Sequence, residues 1–189
     1  MADAQQSDQA PNEPFEFDID PGLELRELRA AYGRLIQLRA ELGEAQFAVQ
    51  GQLSQWSPAA HFYHLLLAGD LALRNVRSLV ARKGRLIMQE GGPNALAREV
   101  LVRGTYPRGK SQAPRMVQPP DPIEKDLLAM EVDVFAKALD VADGLREEVL
   151  QAPGLIPHHA LAELTAAQWL RFARLHTEHH LAIVADIVG

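Results

Sequence analysis

Four long segments of this chain repeat apolar residues at the helical period, and each opens on a helix-start signal, which points to a fold of helices packed on helices. The first begins at Asp20-Pro21, an N-cap followed by proline at the first helical position, and carries Leu28, Tyr32, Leu35, Leu38 and Leu42 on one stripe. The second begins in the same way at Ser57-Pro58 and continues to about Ala81. The third is expected from Asp121-Pro122, with Glu124 completing a capping box and a stripe of Ile123, Leu127, Met130, Val134, Val141, Leu145 and Val149. The fourth starts at Thr165, with Gln168 closing a second box, and its stripe is Trp169, Phe172, His176, His180, Ile183 and Ile187. Runs of alternating apolar and polar residues are absent, so no strands are expected. The pattern predicts an all-α four-helix bundle. A short fifth helix is expected over 94–102, and a long loop over 103–122. Residues 1–17 are polar and poor in large apolar groups, so they read as a disordered tail, leaving 18–189 as one domain.

Composition narrows the chemistry. The chain has no Cys, which excludes disulfides, thiolate metal sites and a cysteine nucleophile, so any sulfur nucleophile must be brought from outside. A formal net charge of −6 argues against nucleic acid as a partner. No apolar run is long enough to span a membrane, and residues 1–14 lack the basic and apolar parts of a secretion signal. A cytoplasmic protein acting on a small molecule, away from membranes, is the expectation.

The seven histidines are unevenly placed. His176 and His180 are four residues apart, so they stack on one helix face, and that face is the apolar seam of Trp169, Phe172, Ile183 and Ile187. Each neutral imidazole has one donor and one acceptor to satisfy, and two of them among Trp, Phe and Ile are costly without partners. A shared divalent ion would satisfy both; two core histidines bonded to other polar groups is the alternative. A third ligand would have to come from another helix, and the second pattern offers His64. A three-His site with an open position suits Zn²⁺, Ni²⁺ or Fe²⁺. His61, one turn before His64, reads as a neighbour of the site or a rim residue, and His179 points about 100° away from the His176/His180 face. His158 and His159, in the segment before the fourth helix, read as loop residues, with a role at the site mouth the lesser alternative.

The segment Trp56-Ser57-Pro58-Ala59-Ala60-His61-Phe62-Tyr63-His64-Leu65 resembles the second-helix signature of the DinB-like superfamily, in which a metal-binding His follows the Trp by eight residues. The segment His176-Thr177-Glu178-His179-His180-Leu181 resembles that superfamily's last-helix motif, whose first and last His are ligands. Gln168-Trp169-Leu170 is similar to the start of the last helix in a less characterised branch. The resemblance spans roughly residues 20–189. It implies an up-down-down-up bundle with a long crossover and metal ligands at His64, His176 and His180. It further implies a metal-dependent thiol transferase or isomerase using a low-molecular-weight thiol, with dimerisation through a bundle face in some members.

The residues leave several activities open. A three-His ion could activate a thiol for transfer to an electrophile, or water for hydrolysis. The chain could also be a non-catalytic metal- or ligand-binding stress-response module, or a bundle that works through a dimer face. Residues 98–116 hold five cations, Arg98, Arg103, Arg108, Lys110 and Arg115, against the single acid Glu99. Lying over the site, they would favour a carboxylate-bearing thiol; as a solvated loop, they would carry no such role. Tyr106 is a candidate proton donor or lid residue, and Glu178 either steadies a ligand or pairs with Arg174.

Overall fold

The computed structural model describes residues 17–51, 54–107 and 112–189. The first sixteen residues, where the polar tail was expected, lie outside the described residues, as do Arg108 and Lys110 of the basic loop.

The long helices are α1 (Pro21–Glu41), α3 (Pro58–Val80), α5 (Lys125–Asp143) and α7 (Ala166–Val188). They are joined by shorter α2 (Glu44–Ala48), α4 (Ala95–Arg103) and α6 (Arg146–Val149), and by a 3₁₀ turn at Arg115–Val117. Three of the four long helices start where the caps require. The Asp20 carboxylate accepts from the Gly22 and Leu23 N–H groups, Ser57 accepts from Ala60, and Thr165 and Gln168 form a reciprocal capping box. Helix α4 occupies the segment expected for a fifth helix, capped by Asn94 and ended by Gly104 in the left-handed region.

Helix α7 packs against α1 and α3, and α3 packs against α5. Leu28, Leu35, Leu73, Leu79 and Leu170 fill the common core, each at most 2% exposed. Gly69 on α3 lies where three helices meet. A Cβ there would come within 2.5 Å of Tyr32 Oη and 2.6 Å of a Phe135 ring carbon. Those two rings stack at 3.7 Å between centroids, and the Tyr32 hydroxyl donates to the Leu65 carbonyl, so neither can easily yield. Gly69→Ala is therefore expected to destabilise the fold by about 1–3 kcal/mol in urea titration, although alanine is the better helix former. A stabilised variant would contradict this packing.

Two expectations need correction. The third long helix opens at Lys125, not at Asp121-Pro122; Glu124 is still extended and makes no side-chain cap. Three prolines at 119, 120 and 122 hold this stretch open, and Val117 just before them is tied down against α3. Three residues of the stripe assigned to this helix also face outward, and the Leu127 side chain lies outside the described residues. Met130, Val134 and Val141 are 63%, 42% and 47% exposed, while Leu128, Phe135, Leu139 and Ala142 are buried. The helix carries two apolar stripes, and the one holding Phe135 wins because that ring stacks on Tyr32. It ends at Gly144, so Leu145 and Val149 belong to the next turn of chain.

The second correction is a β-hairpin in the segment read as loop. Strands β1 (Ile156–His158) and β2 (Ala162–Leu164) pair antiparallel, and Met88 bridges to Leu155 beside them. Three-residue strands are too short to produce a visible alternation. Among the described residues, no helix is long and apolar enough to cross a membrane.

Candidate metal centre

The His176/His180 face does not lie in the bundle core. The core of α7 is Leu170, Ala173, Leu175 and Val184, while His176, His180 and Ile183 are half-buried and face a cavity of about 1110 Å³. Trp169 and Phe172, at the start of the same stripe, line that cavity from buried positions. Trp169 Nε1–H donates to the Ile156 carbonyl and pins the hairpin to α7.

His64 from α3 and His176 and His180 from α7 offer ring nitrogens that all lie within 4.8 Å of one another. His176 Nε2 is 3.2 Å from His64 Nε2 and 3.1 Å from His180 Nε2. Two nitrogens held about 2.1 Å from one ion at a tetrahedral angle would be about 3.4 Å apart, so this spacing fits a single divalent ion.

The protons support the same fit. His64 Nδ1 lies 2.7 Å from the Val117 carbonyl, which can only accept, so Nδ1 carries the hydrogen and Nε2 presents a lone pair. His180 Nδ1 is 2.8 Å from His61 Nδ1, and His61 Nε2 is 2.9 Å from Ser54 Oγ. With His180 Nδ1–H donating to His61, and His61 Nε2–H donating to Ser54, His180 Nε2 is also bare. Two lone pairs then converge on His176 Nε2, which in the metal-free site can donate its hydrogen to one of them and, once deprotonated, completes a three-nitrogen donor set for a cation. The 3₁₀ turn supplies Val117, so the loop between α4 and α5 fixes the orientation of a ring on α3.

Burial keeps these rings neutral. His61 and His64 are each held down to about 4, chiefly by desolvation, with neighbouring imidazoles adding to it; the Val117 bond raises His64 in part. His176 and His180 are held well below the ordinary value by the same burial and by the charges their neighbours would carry. In the unfolded chain these groups titrate near 6.5. Between about pH 6.5 and pH 4 the unfolded state therefore binds protons that the folded state does not. Stability of the metal-free protein should fall as pH is lowered through that window, and these groups should leave it unchanged above the window. Urea titrations at pH 7.5 and pH 5 measure this, and equal midpoints would contradict it.

Of the remaining candidates, His61, His179 and Tyr106 line the cavity. The Tyr106 hydroxyl is buried without a hydrogen-bond partner among the described residues, and its ring lies 6.0 Å from that of His176. Glu178 turns away and pairs with Arg174 at 2.8 Å. Arg115, the first residue of the 3₁₀ turn, is exposed and does not line the cavity; Arg98 does not line it either, and Arg103 pairs with Glu99. Arg108 lies outside the described residues. The cavity lining contains no Asp, Glu, Lys or Arg among the described residues, so the cationic cover expected from the loop is not provided by any of them.

Sequence reasoning named Trp56 as the start of the second-helix motif and read His158 as a loop residue. In the structure Trp56 is a cavity wall, its ring 4.9 Å from His64 and 6.4 Å from His180, and His158 is a buried cavity residue. The Trp56-to-His64 spacing was the available signal for the first: the indole precedes α3, where it can fold back over the helix's first turns.

No curated protein matches this chain. Among solved structures, TT2238, a four-helix bundle protein, superposes with a TM-score of 0.58 at 20% identity, over 88% of this chain and 98% of its own. At that identity the likeness concerns the fold alone. A sequence-family model for the DinB superfamily matches residues 27–184, a span that takes in nearly all of the bundle and every histidine described above. The chain belongs to the DinB superfamily.

Proposed function

We propose that this protein is a metal-dependent enzyme in which His64, His176 and His180 hold one divalent ion, Zn²⁺ or Ni²⁺ before Fe²⁺. It would activate an external low-molecular-weight thiol for transfer to an electrophile. The observation that carries this reading is the convergence of the three ring nitrogens beside a cavity of about 1110 Å³. Pockets for drug-sized ligands run to about 300–1,000 Å³, so this volume leaves room for an organic thiol beside the three histidines.

A bound divalent ion supplies Lewis acidity that lowers the pKa of a ligating thiol well below its free value near 8.5. The protein's own part is orientation and exclusion of water. Val117 fixes His64, and the Ser54–His61 pair fixes His180. Trp56, Phe172 and Ile183 furnish apolar walls that keep the local dielectric low. The chain has no Cys to supply the nucleophile itself. In the transfer, sulfur forms a C–S bond and the leaving group departs with its electron pair.

The test is turnover of 1-chloro-2,4-dinitrobenzene with glutathione, bacillithiol or N-acetylcysteamine by Zn²⁺- or Ni²⁺-loaded protein. Thioether formation that requires the metal and is absent in His176→Ala supports transfer. Ester cleavage without thioether formation would instead identify a hydrolase, and no turnover with bound metal would leave a non-catalytic module.

A further inference from the structure

We propose that His158 is a positioning residue, a neutral hydrogen-bond donor that holds a carbonyl-type acceptor on the substrate at the far wall of the cavity. This rests on the thiol-transfer reading of the metal centre and adds what that site selects.

The hairpin determines which nitrogen of His158 carries the proton. His158 ends β1, and its Nδ1 accepts the backbone N–H groups of both Ala160 and Leu161 at 3.2 Å as the chain turns into β2. A nitrogen accepting two hydrogen bonds bears no hydrogen. Burial, reinforced by His159 alongside, holds the ring neutral down to about 3. The single proton is therefore on Nε2. Nδ1 faces the turn, and Nε2 lies on the opposite side of the ring. No described residue accepts from Nε2, yet it is not among the buried unpartnered atoms, so it opens onto the cavity that the ring lines.

The ring cannot readily turn away. It is 8% exposed and packed 4.5 Å from Phe172 and 5.3 Å from Trp169, between centroids. Phe172 in turn stacks 5.1 Å from His176, so one aromatic ring separates this donor from the metal centre. A substrate anchored at the centre and extending along Phe172 would meet Nε2–H several ångström away. The walls on either side of the donor are the apolar Trp169 and Phe172, so the fitting ligand presents an apolar body with one acceptor group.

Two measurements test this. Long-range ¹H–¹⁵N spectra of the metal-free protein at pH 7 should show His158 as the Nε2–H tautomer; an Nδ1–H tautomer overturns the proposal whatever the metal does. Second, Co²⁺-loaded protein is titrated with N-acetylcysteamine, which has a carbonyl beyond its thiol, and with 1-pentanethiol, which has none. The native protein should prefer the former by about fivefold, the size of one neutral hydrogen bond. His158→Asn retains an acceptor for the hairpin N–H groups but removes the donor at Nε2. It should lose the preference while binding 1-pentanethiol and Co²⁺ as before. Thiol binding without preference in the native protein overturns the role of His158 alone. Failure of both thiols to bind Co²⁺-loaded protein overturns the thiol reading and this inference with it.

Discussion

Glu24→Ala is expected to lower stability by about 3 kcal/mol or more, because it breaks a buried ion-pair network. Glu24 is a charged residue in the core, 1% exposed on the inner face of α1. Its carboxylate takes Arg171 Nη1 at 2.7 Å and Arg174 Nε, both from α7. Arg171 also donates to the Leu101 carbonyl at the end of α4, so one carboxylate joins three helices. Removing it leaves two largely buried guanidinium groups, of which only Arg174 keeps a carboxylate partner, Glu178. The control is Glu178→Ala. Its side chain is 35% exposed, and loss of a solvent-screened pair should cost no more than about 1 kcal/mol. Urea titrations of the two variants measure the difference, and comparable losses would show that Glu24 is not the clamp between α1 and α7.

The second large effect concerns the metal. His176→Ala removes the central nitrogen, the one within 3.2 Å of both partners, and should reduce Zn²⁺ or Ni²⁺ affinity by at least about 100-fold, more than loss of an outer partner typically costs. Metal that binds only the folded state adds stability by mass action, about 2.7 kcal/mol at 100 times Kd. The native protein should therefore melt at a higher temperature with added Zn²⁺, and His176→Ala should not respond at the same concentration. An equal shift in both would locate the ion elsewhere.

The elements legible in the sequence were those defined by local chemistry. Asp20-Pro21, Ser57-Pro58 and Thr165 with Gln168 each satisfy helix-end N–H groups within three residues, so those helices begin where the residues say. The proximity of the three histidines was also accessible, because the i, i+4 spacing is a property of one helix and the Trp-Ser start recurs in a family motif. What was not legible depends on competition between distant groups. Helix α5 carries two apolar stripes, and the buried one is the one whose Phe135 stacks on Tyr32 of another helix, a contact no local pattern displays. The site face of α7 looked like a core seam because Trp169, Phe172, His176, His180 and Ile183 share one period, yet that face lines a cavity. The acceptors that steady the ligand rings, the Val117 carbonyl directly and Ser54 through His61, belong to short connecting segments whose role comes from where those segments lie.

X-ray absorption at the metal edge, with elemental analysis, on untagged protein reconstituted with Zn²⁺ or Ni²⁺ tests the three-histidine site most directly. One equivalent of metal is expected, bound by three imidazole nitrogens and at least one ligand from solvent, and lost in a His176→Ala/His180→Ala variant. No bound metal after reconstitution with an excess of either ion, or a first shell without imidazole, would contradict it.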